Sequence, residues 1–337
     1  MKTKEIEILE KALDKFRELT HLNVNLLTTE ERAVDNRIDA IIDIEGRTYD
    51  VEIKPTLNTA MANLLINRYK ELDKQLIFVT KYVNPKMADV LKKNNIQFID
   101  IVGNAYIDQK HLHIYIIGQK IKNDMVDHKQ NRIFKPTGLK VVFTLLINPG
   151  LENKTYRNIA AKADVALGTV NWIMHDLKMR NYLIDISNTG RTLIHKKELL
   201  DRWVTTYPDN LRKHMLFGKY RAPSEDWWEN IDFNKKEAFL GGELAAAQLT
   251  KYLKPQDHII YVEGVYFKHF IQQHRLILDP NGKIEMLKKF WKKEIQLDYN
   301  HMVPPILVYA DLLNTGDPRN RETANIIYDE EIHRYIR

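Results

Sequence analysis

The feature that most constrains the fold is a pair of acids followed by a lysine near the start of the chain. Asp39 lies in an apolar run, and Glu52 and Lys54 lie in a second run after the turn at residues 45–48. Because strand side chains alternate between the two faces of a sheet, Glu52 and Lys54 point the same way. A hairpin of this length brings Asp39 beside Glu52. Two carboxylates and an ammonium that converge in this way can hold a hard divalent metal.

Composition limits the class of protein. The 337 residues include no cysteine, so disulfides and thiolate metal sites are excluded, and we expect a cytoplasmic protein. With 44% hydrophobic and 28% charged residues, the sequence is typical of a globular protein with two or three domains. The charged N-terminus does not have the pattern of a signal peptide. No apolar run approaches the roughly 20 residues of a membrane span, so we expect no membrane partner.

The excess positive charge is concentrated in the middle of the chain. Residues 135–200 carry ten Lys and Arg against five Asp and Glu, whereas residues 1–120 and 201–337 are each balanced. A localised basic excess is typical of a nucleic-acid-binding module. Surface charge also varies along chains for no functional reason, so this excess alone is weak support for nucleic-acid binding.

Hydrophobic periodicity predicts an N-terminal domain at residues 1–120. The element order α-β-β-β-α-β-α-β-β implies a mixed sheet with flanking helices. Residues 121–136 are polar without a period and predict a linker. The predicted helices are 5–19, 59–72 and 85–93, and the predicted strands are 22–27, 37–44, 49–53, 76–79, 96–102 and 113–117.

Residues 137–196 predict three helices, at 141–147, 155–163 and 167–180, followed by a hairpin. Within them, residues 155–170 resemble the core of a winged helix-turn-helix, with Thr155 as the N-cap of the second helix. The third helix would be the recognition helix, because its apolar residues repeat at i, i+3, i+4 and i+7 and leave the other side for a major groove. The stripe comprises Val170, Ile173, Met174 and Leu177.

This resemblance implies double-stranded DNA as a partner. Asparagine pairs with adenine edges and a threonine methyl contacts thymine, while an arginine at the tip of the hairpin would meet phosphates or a minor groove. Winged helices also bind proteins, so Trp172 is alternatively the anchor of a homodimer or of an interdomain contact. Asp176 argues mildly against tight phosphate contact. The candidate DNA-binding residues are Thr155, Arg157, Gly168, Thr169, Asn171, Trp172, His175 and Arg191.

The N-terminal domain resembles the PD-(D/E)XK nuclease superfamily through Asp39, Glu52 and Lys54, with a helix before the hairpin and another directly after it. The resemblance implies a restriction-endonuclease-like sheet in which Asp39 and Glu52 ligate Mg²⁺. Lys54 would orient the attacking water or stabilise the transition state. Glu7 or Glu10 of the opening helix would add a further acid, and Glu30 and Glu31 are alternatives.

Some residues depart from the nuclease pattern. Ile38 stands where the pattern has proline, and Asp43 and Asp50 compete for the acidic roles. A cross-strand salt bridge on an exposed sheet face explains the two acids and the lysine without catalysis. An inactive nuclease fold that serves as a binding platform is a further alternative.

Residues 197–337 predict a C-terminal α+β domain, with helices at 198–207, 243–252 and 321–334 and strands at 259–262 and 276–278. Five further stretches carry a resemblance: residues 96–107, 155–177, 199–203, 241–247 and 304–319. Through them, the chain as a whole resembles the AbiEi-type antitoxins of type IV toxin–antitoxin, or abortive infection, systems. The resemblance implies a transcriptional regulator that represses its own operon and counteracts a nucleotidyltransferase-like toxin.

Three hypotheses follow. The first is a DNA-binding regulator with an inactive nuclease-like domain, which binds duplex without metal and with a steep salt dependence. The second is a Mg²⁺-dependent DNA endonuclease targeted by its winged helix, whose turnover requires Asp39 and Glu52. The third is a protein-interaction scaffold without affinity for duplex. The first hypothesis explains the most features of the sequence.

Overall fold

The chain folds into two compact units, Met1–His128 and Lys129–Arg337. Their structure is a computed structural model that describes residues 3–28, 38–69, 76–120, 132–186, 190–231, 237–292 and 301–336. Each unit combines helices with a mixed β-sheet, which confirms the prediction of a fold that contains both helices and mixed sheets. The domain boundaries at residues 120, 136 and 196 stay predictions. Within the described ranges, no helix combines the length and hydrophobicity needed for a bilayer crossing.

The first unit is built on a seven-stranded sheet whose spatial order follows the chain. Its strands are β1 (Val24–Thr28), β2 (Ala40–Ile44), β3 (Arg47–Ile53), β4 (Leu76–Thr80), β5 (Gln97–Asp100), β6 (Ala105–Gln109) and β7 (Leu112–Ile116). Strands β3, β4 and β5 run parallel to one another, and the other neighbours pair antiparallel.

Helices cover both faces of this sheet. On one face lies α1 (Thr3–Thr20), whose apolar stripe, including Leu13, is buried against the strands. On the other lie α2 (Thr59–Tyr69) and α3 (Pro85–Lys93), which bury Leu65 and its neighbours in a second core. Both faces of the central strands are therefore buried, as is usual where parallel strands pair.

All three helices and all six strands predicted for this unit occur, but β6 was missed. It follows a tight turn in which Gly103 adopts a φ of +94°. The buried Asp100 carboxylate fixes the turn by accepting hydrogen bonds from the backbone N–H groups of Val83, Val102 and Asn104. In the sequence, this region looks like one strand followed by a loop. The turn that the Asp100 side chain stabilises instead ends β5 and leads into a second strand, β6.

The second unit begins with three helices and a hairpin: α4 (Pro136–Leu146), α5 (Tyr156–Ala163), α6 (Leu167–Met179), β8 (Leu183–Ile186) and β9 (Gly190–Leu193). Helix α4 begins five residues before the predicted start at 141, because Pro136 suits the first turn of a helix and Leu139 is already buried there. The predicted N-cap is confirmed, since the Thr155 side chain accepts from the Asn158 N–H at 3.3 Å. Residues 121–131 of the predicted linker and 187–189 of the hairpin lie outside the described residues.

The remainder of the unit carries a five-stranded sheet in the spatial order β11-β12-β14-β10-β13. The predicted helices and strands are present, but β10, β11, β14, α8, α10 and α11 were not predicted. The elements are α7 (Lys196–Tyr207), α8 (Lys213–Met215), β10 (Leu216–Arg221), β11 (Ala238–Gly241), α9 (Gly242–Thr250), β12 (His258–Val262), α10 (Phe267–Gln273), β13 (Ile277–Leu278), β14 (Ile284–Lys288), α11 (Pro305–Thr315), α12 (Pro318–Ile327) and α13 (His333–Ile336).

Helix α7 joins the two parts of this unit through a shared core. The fully buried Trp203 donates its indole N–H to the backbone oxygen of Leu139 in α4 at 2.8 Å. Its ring stacks on Phe143 of α4, with centroids 5.3 Å apart, and on Tyr207, with centroids 4.8 Å apart. Helices α4 and α7 therefore form one continuous aromatic core.

A buried polar network continues from the end of α7 into the sheet. Arg212 donates from Nε to Asp311 at 3.2 Å and also pairs with Glu285. The Tyr261 hydroxyl donates to Asp311 at 2.8 Å and lies 2.7 Å from the Tyr207 hydroxyl. Burial raises the pKa of Asp311 to about 6, and the neighbouring Arg212 opposes that rise.

Candidate nucleic-acid interface and acidic cluster

Helix α6 is two-sided, as its sequence period predicts. The stripe Val170, Ile173, Met174 and Leu177 is buried against the rest of the unit. Because 3.6 residues make one turn, the residues between these positions lie on the other side. That outer side exposes Gly168, Asn171, Trp172 and His175, with Thr169 half-buried at its edge.

Trp172 is the largest exposed group on this helix, with 57% of its surface accessible. The guanidinium carbon of Arg132 lies 5.0 Å from the centre of its ring, a cation–π contact. Sequence reasoning missed Arg132 because it lies in the predicted linker and has no local pattern. The contact places a cation beside the outer face of α6.

Helix α6 itself offers little positive charge. Its basic residues are His175 and Lys178. The Lys178 ammonium donates to both carboxylate oxygens of Asp185 in β8, at 2.8 and 2.6 Å. The half-buried Asp176 lies near the guanidinium of Arg180. The outer face is therefore polar and aromatic rather than cationic.

Positive charge lies instead around α5. Arg157 is exposed, and Lys154 and Lys162 line an open groove of about 770 Å³ together with Asn158 and the turn at residues 147–151. Thr155 is exposed beside them as the N-cap. Backbone and lysine groups at a helix start are well suited to phosphate contact.

Arg191 does not project freely from the hairpin. Its backbone N–H donates to Asn153 at 2.5 Å, and its guanidinium donates to the Lys154 backbone oxygen at 2.7 Å. The same guanidinium lies 4.7 Å from the Tyr156 ring centre. The side chain thus fastens β9 to the start of α5, and it brings its charge close to Lys154.

In the first unit, the structure brings Asp39, Glu52 and Lys54 together. Strands β2 and β3 pair with Ala40 opposite Val51, so Asp39 lies opposite Glu52. The Ile53 N–H donates to Asp39 Oδ2 at 2.6 Å, and the Lys54 ammonium lies 3.2 Å from Glu52 Oε1. Glu52 is buried, with 1% of its surface exposed, so the pair is not the exposed salt bridge that the sequence left open.

The electrostatics of this cluster centre on Asp39. Burial raises the pKa of the Asp39 carboxyl to about 6, while Lys54 and the hydrogen bond from Ile53 oppose that rise. The carboxylates of Glu5 and Glu52 raise it further. Glu5 of α1 is therefore the helical acid that acts on Asp39.

The acids expected from α1 were Glu7 and Glu10. Glu7 is exposed and pairs with Lys11 at 2.6 Å, and Glu10 is exposed. Glu30 and Glu31 lie outside the described residues. In the part of the chain that the structure describes, no group of three or more His, Asp or Glu side chains is placed to hold a metal ion. A metal ion at this cluster would be coordinated by the carboxylates of Asp39 and Glu52, with water or substrate as the remaining ligands.

Comparison with known protein families gave a match in the C-terminal part of the chain. Residues 192–333 match the model of a family described as transcriptional regulator, AbiEi antitoxin, type IV TA system. This match supports an AbiEi-type antitoxin. It covers less than half of the 337-residue chain. A search of curated proteins and a search of solved structures gave no significant match.

The matched region contains three of the five stretches that carried the AbiEi resemblance in the sequence: residues 199–203, 241–247 and 304–319. Residues 96–107 and 155–177 precede it. The match begins inside strand β9, so it includes α7, the C-terminal sheet and the helices around it. It suggests a transcriptional regulator of a type IV toxin–antitoxin system.

Proposed function

We propose that the protein is a DNA-binding transcriptional regulator of the AbiEi antitoxin type, which represses its own operon and counteracts a nucleotidyltransferase-like toxin. The family match over residues 192–333 carries this proposal. The basic excess of residues 135–200 and the two-sided helix α6 support the DNA-binding part.

In this proposal, helices α4 to α6 and the hairpin β8–β9 act as a winged helix-turn-helix. Helix α6 enters the major groove with Thr169, Asn171, Trp172 and His175 toward base edges, and Gly168 lets the backbone approach closely. Thr155 and Arg157 meet phosphates on the flank of the groove. Arg191 supports them by fastening the hairpin to α5.

Binding to the DNA upstream of the protein's own reading frame tests the proposal. Fluorescence anisotropy over a salt series should show affinity that falls steeply with salt, because phosphate contacts release counterions. Asn171→Ala should weaken binding roughly 5- to 150-fold, the loss of one bidentate base contact of about 1–3 kcal/mol. Asn281→Ala, an exposed asparagine in the turn after β13, is the matched control. Arg157→Ala should reduce the salt slope by about one.

Absence of sequence-specific binding would refute the regulator and favour the scaffold hypothesis. A homodimer is the proposed assembly on inverted repeats, and sedimentation velocity with and without DNA measures it. Cells that express a toxin encoded beside the gene of this protein are grown with the wild-type protein or with Asn171→Ala. Their growth distinguishes toxin neutralisation from transcriptional repression. If the Asn171→Ala protein still restores growth, antitoxin activity does not require the DNA-facing side of α6.

A second candidate function is a Mg²⁺-dependent endonuclease, favoured by the convergence of Asp39, Glu52 and Lys54. Mg²⁺ is commonly held by one or two carboxylates with water and substrate phosphates, a set that Asp39 and Glu52 fit. The ion would stabilise charge on a scissile phosphate. Lys54 would add a positive charge beside that phosphate.

Cleavage of plasmid and branched DNA with Mg²⁺ or Mn²⁺ separates the two candidates. Wild type is compared with Glu52→Ala and Lys54→Ala, and Asp89→Ala, at an exposed acid of the same unit, is the matched control. Cutting that both variants lose would establish the endonuclease. Intact wild-type protein that binds duplex without cutting would exclude it.

A further inference from the structure

Helix α6 itself offers no open side chain that reads guanine, and the arginine beside its outer face, Arg132, is engaged with the Trp172 ring. Guanine is recognised chiefly by a bidentate arginine or lysine on O6 and N7. The lysine of this helix is Lys178, whose ammonium is held by both oxygens of Asp185. Arg180 follows the helix end, where it is partly buried near Arg202. His175 offers a single ring N–H when neutral, which is insufficient for a bidentate contact.

The same face also lacks an open cytosine reader. A carboxylate can accept from cytosine N4, and the acid of this helix is Asp176. Asp176 is half-buried and lies near Arg180, away from the most exposed line of the helix. The residues left to contact bases are Asn171, Trp172 and His175 on the exposed side, with Thr169 at its edge.

What the face does present matches adenine and thymine. Asn171 is exposed, and asparagine pairs with adenine N6 and N7. Trp172 exposes 57% of its surface one residue later, and thymine is the base that offers a methyl group in the major groove. Gly168 lies one turn before Trp172 with open space around it, so a base methyl can reach the ring.

We propose that α6 recognises an A·T-rich core, with the Trp172 ring packed on thymine C5-methyl groups and Asn171 paired with adenine. The inference rests on the proposed DNA binding and names the sequence class that the site takes. Cations outside the helix, on Lys154, Arg157 and Lys162, supply the phosphate contacts. The Arg132 guanidinium lies over one face of the Trp172 ring at 5.0 Å and leaves the other face for the thymine methyl groups.

The experiment begins with selection of duplexes from a random pool by the full-length protein. The selected core should be rich in A·T pairs. Each thymine of the core is then replaced singly by uracil, which removes the C5-methyl group and keeps base pairing. At one or two positions this should weaken binding about fourfold, the effect of losing burial of one methyl-sized group.

Variants assign that effect to the tryptophan. Trp172→Ala should bind thymine and uracil probes equally, whereas Trp172→Phe should retain the preference for thymine. Tyr252→Ala is the matched control, because Tyr252 is an aromatic residue with the same 57% exposure in the C-terminal part. Replacement of core adenine by 7-deazaadenine, which lacks the N7 acceptor, should weaken wild type and leave Asn171→Ala unchanged.

The outcomes distinguish failure of the proposed DNA binding from failure of the proposed A·T preference. A pool that yields no preferred sequence would refute the proposed DNA binding and this inference with it. A preferred core rich in G·C pairs, or uracil probes bound as tightly as thymine probes, would overturn the inference and leave DNA binding intact. Circular dichroism of Trp172→Ala confirms that a lost preference does not reflect misfolding.

Discussion

Asp39→Asn should stabilise the first unit at neutral pH and leave its stability near pH 4 almost unchanged. Burial is the main cause of the raised pKa of Asp39, from 3.8 to about 6. One pKa unit corresponds to about 1.4 kcal/mol, so the shift of roughly two units corresponds to about 3 kcal/mol. Asparagine keeps an oxygen that accepts from the Ile53 N–H, so the substitution removes the charge and preserves the hydrogen bond.

The sign follows from proton linkage. The folded chain holds the Asp39 proton more tightly than the unfolded chain, because the folded pKa lies above the unfolded one. The stability that protonation contributes is complete below pH 4 and is lost as the pH rises through 6. Asparagine does not titrate, so the free energy of unfolding of the variant relative to wild type should rise by about 3 kcal/mol between pH 4 and pH 8.

The assay must report on the first unit alone. All five tryptophans lie at or beyond Trp172, so tryptophan fluorescence follows the second unit. Native-state hydrogen exchange of β2 and β3 peptides over a urea series, corrected for intrinsic exchange, measures the first. Asp89→Asn, a solvent-exposed aspartate of the same unit, is the matched control. Equal pH dependence in Asp39→Asn and wild type would refute the desolvation of Asp39.

Three further substitutions test the buried interactions. Arg212→Met should destabilise the second unit by about 3–5 kcal/mol, since it leaves Asp311 buried without its cation; urea unfolding followed by tryptophan fluorescence measures it. Asn104→Ala should cost about 1–3 kcal/mol in the hydrogen-exchange assay, because Asp100 loses an amide donor. Trp203→Ala should cost about 3–5 kcal/mol in thermal unfolding followed by circular dichroism. A loss below about 1 kcal/mol would contradict the buried ion pair described for Arg212 or the aromatic core described for Trp203.

Features that depend on local rules, such as helix ends, hairpin register and the buried side of a helix, were predictable from the sequence. Helix α3 was predicted with its observed ends, because Asn84 and Pro85 mark its start and the apolar period defines its buried face. The approach of Asp39 to Glu52 follows from hairpin register, which the turn and the alternation of side chains determine over a short span. The buried stripe of α6 follows from helical period alone.

What the sequence could not predict depends on tertiary packing. Glu5 reaches Asp39 because α1 crosses the sheet, and the helical period does not give that crossing position. Arg132 reaches Trp172 from a segment without any periodic signal. Strand β6 depends on a turn that the Asp100 carboxylate organises, and no local propensity identifies such a partner.

The shared aromatic core of α4 and α7 has a consequence for genetics. Trp203 donates to the Leu139 backbone oxygen and stacks on Phe143. In the proposed regulator, a core substitution at any of these three residues should therefore disturb the proposed DNA recognition and the proposed antitoxin activity together. Alleles that separate the two activities should therefore be confined to the surface, for example to Asn171. A screen for repressor-defective mutants that still protect cells should return exposed positions of α5 and α6 and avoid the stacked rings beneath them.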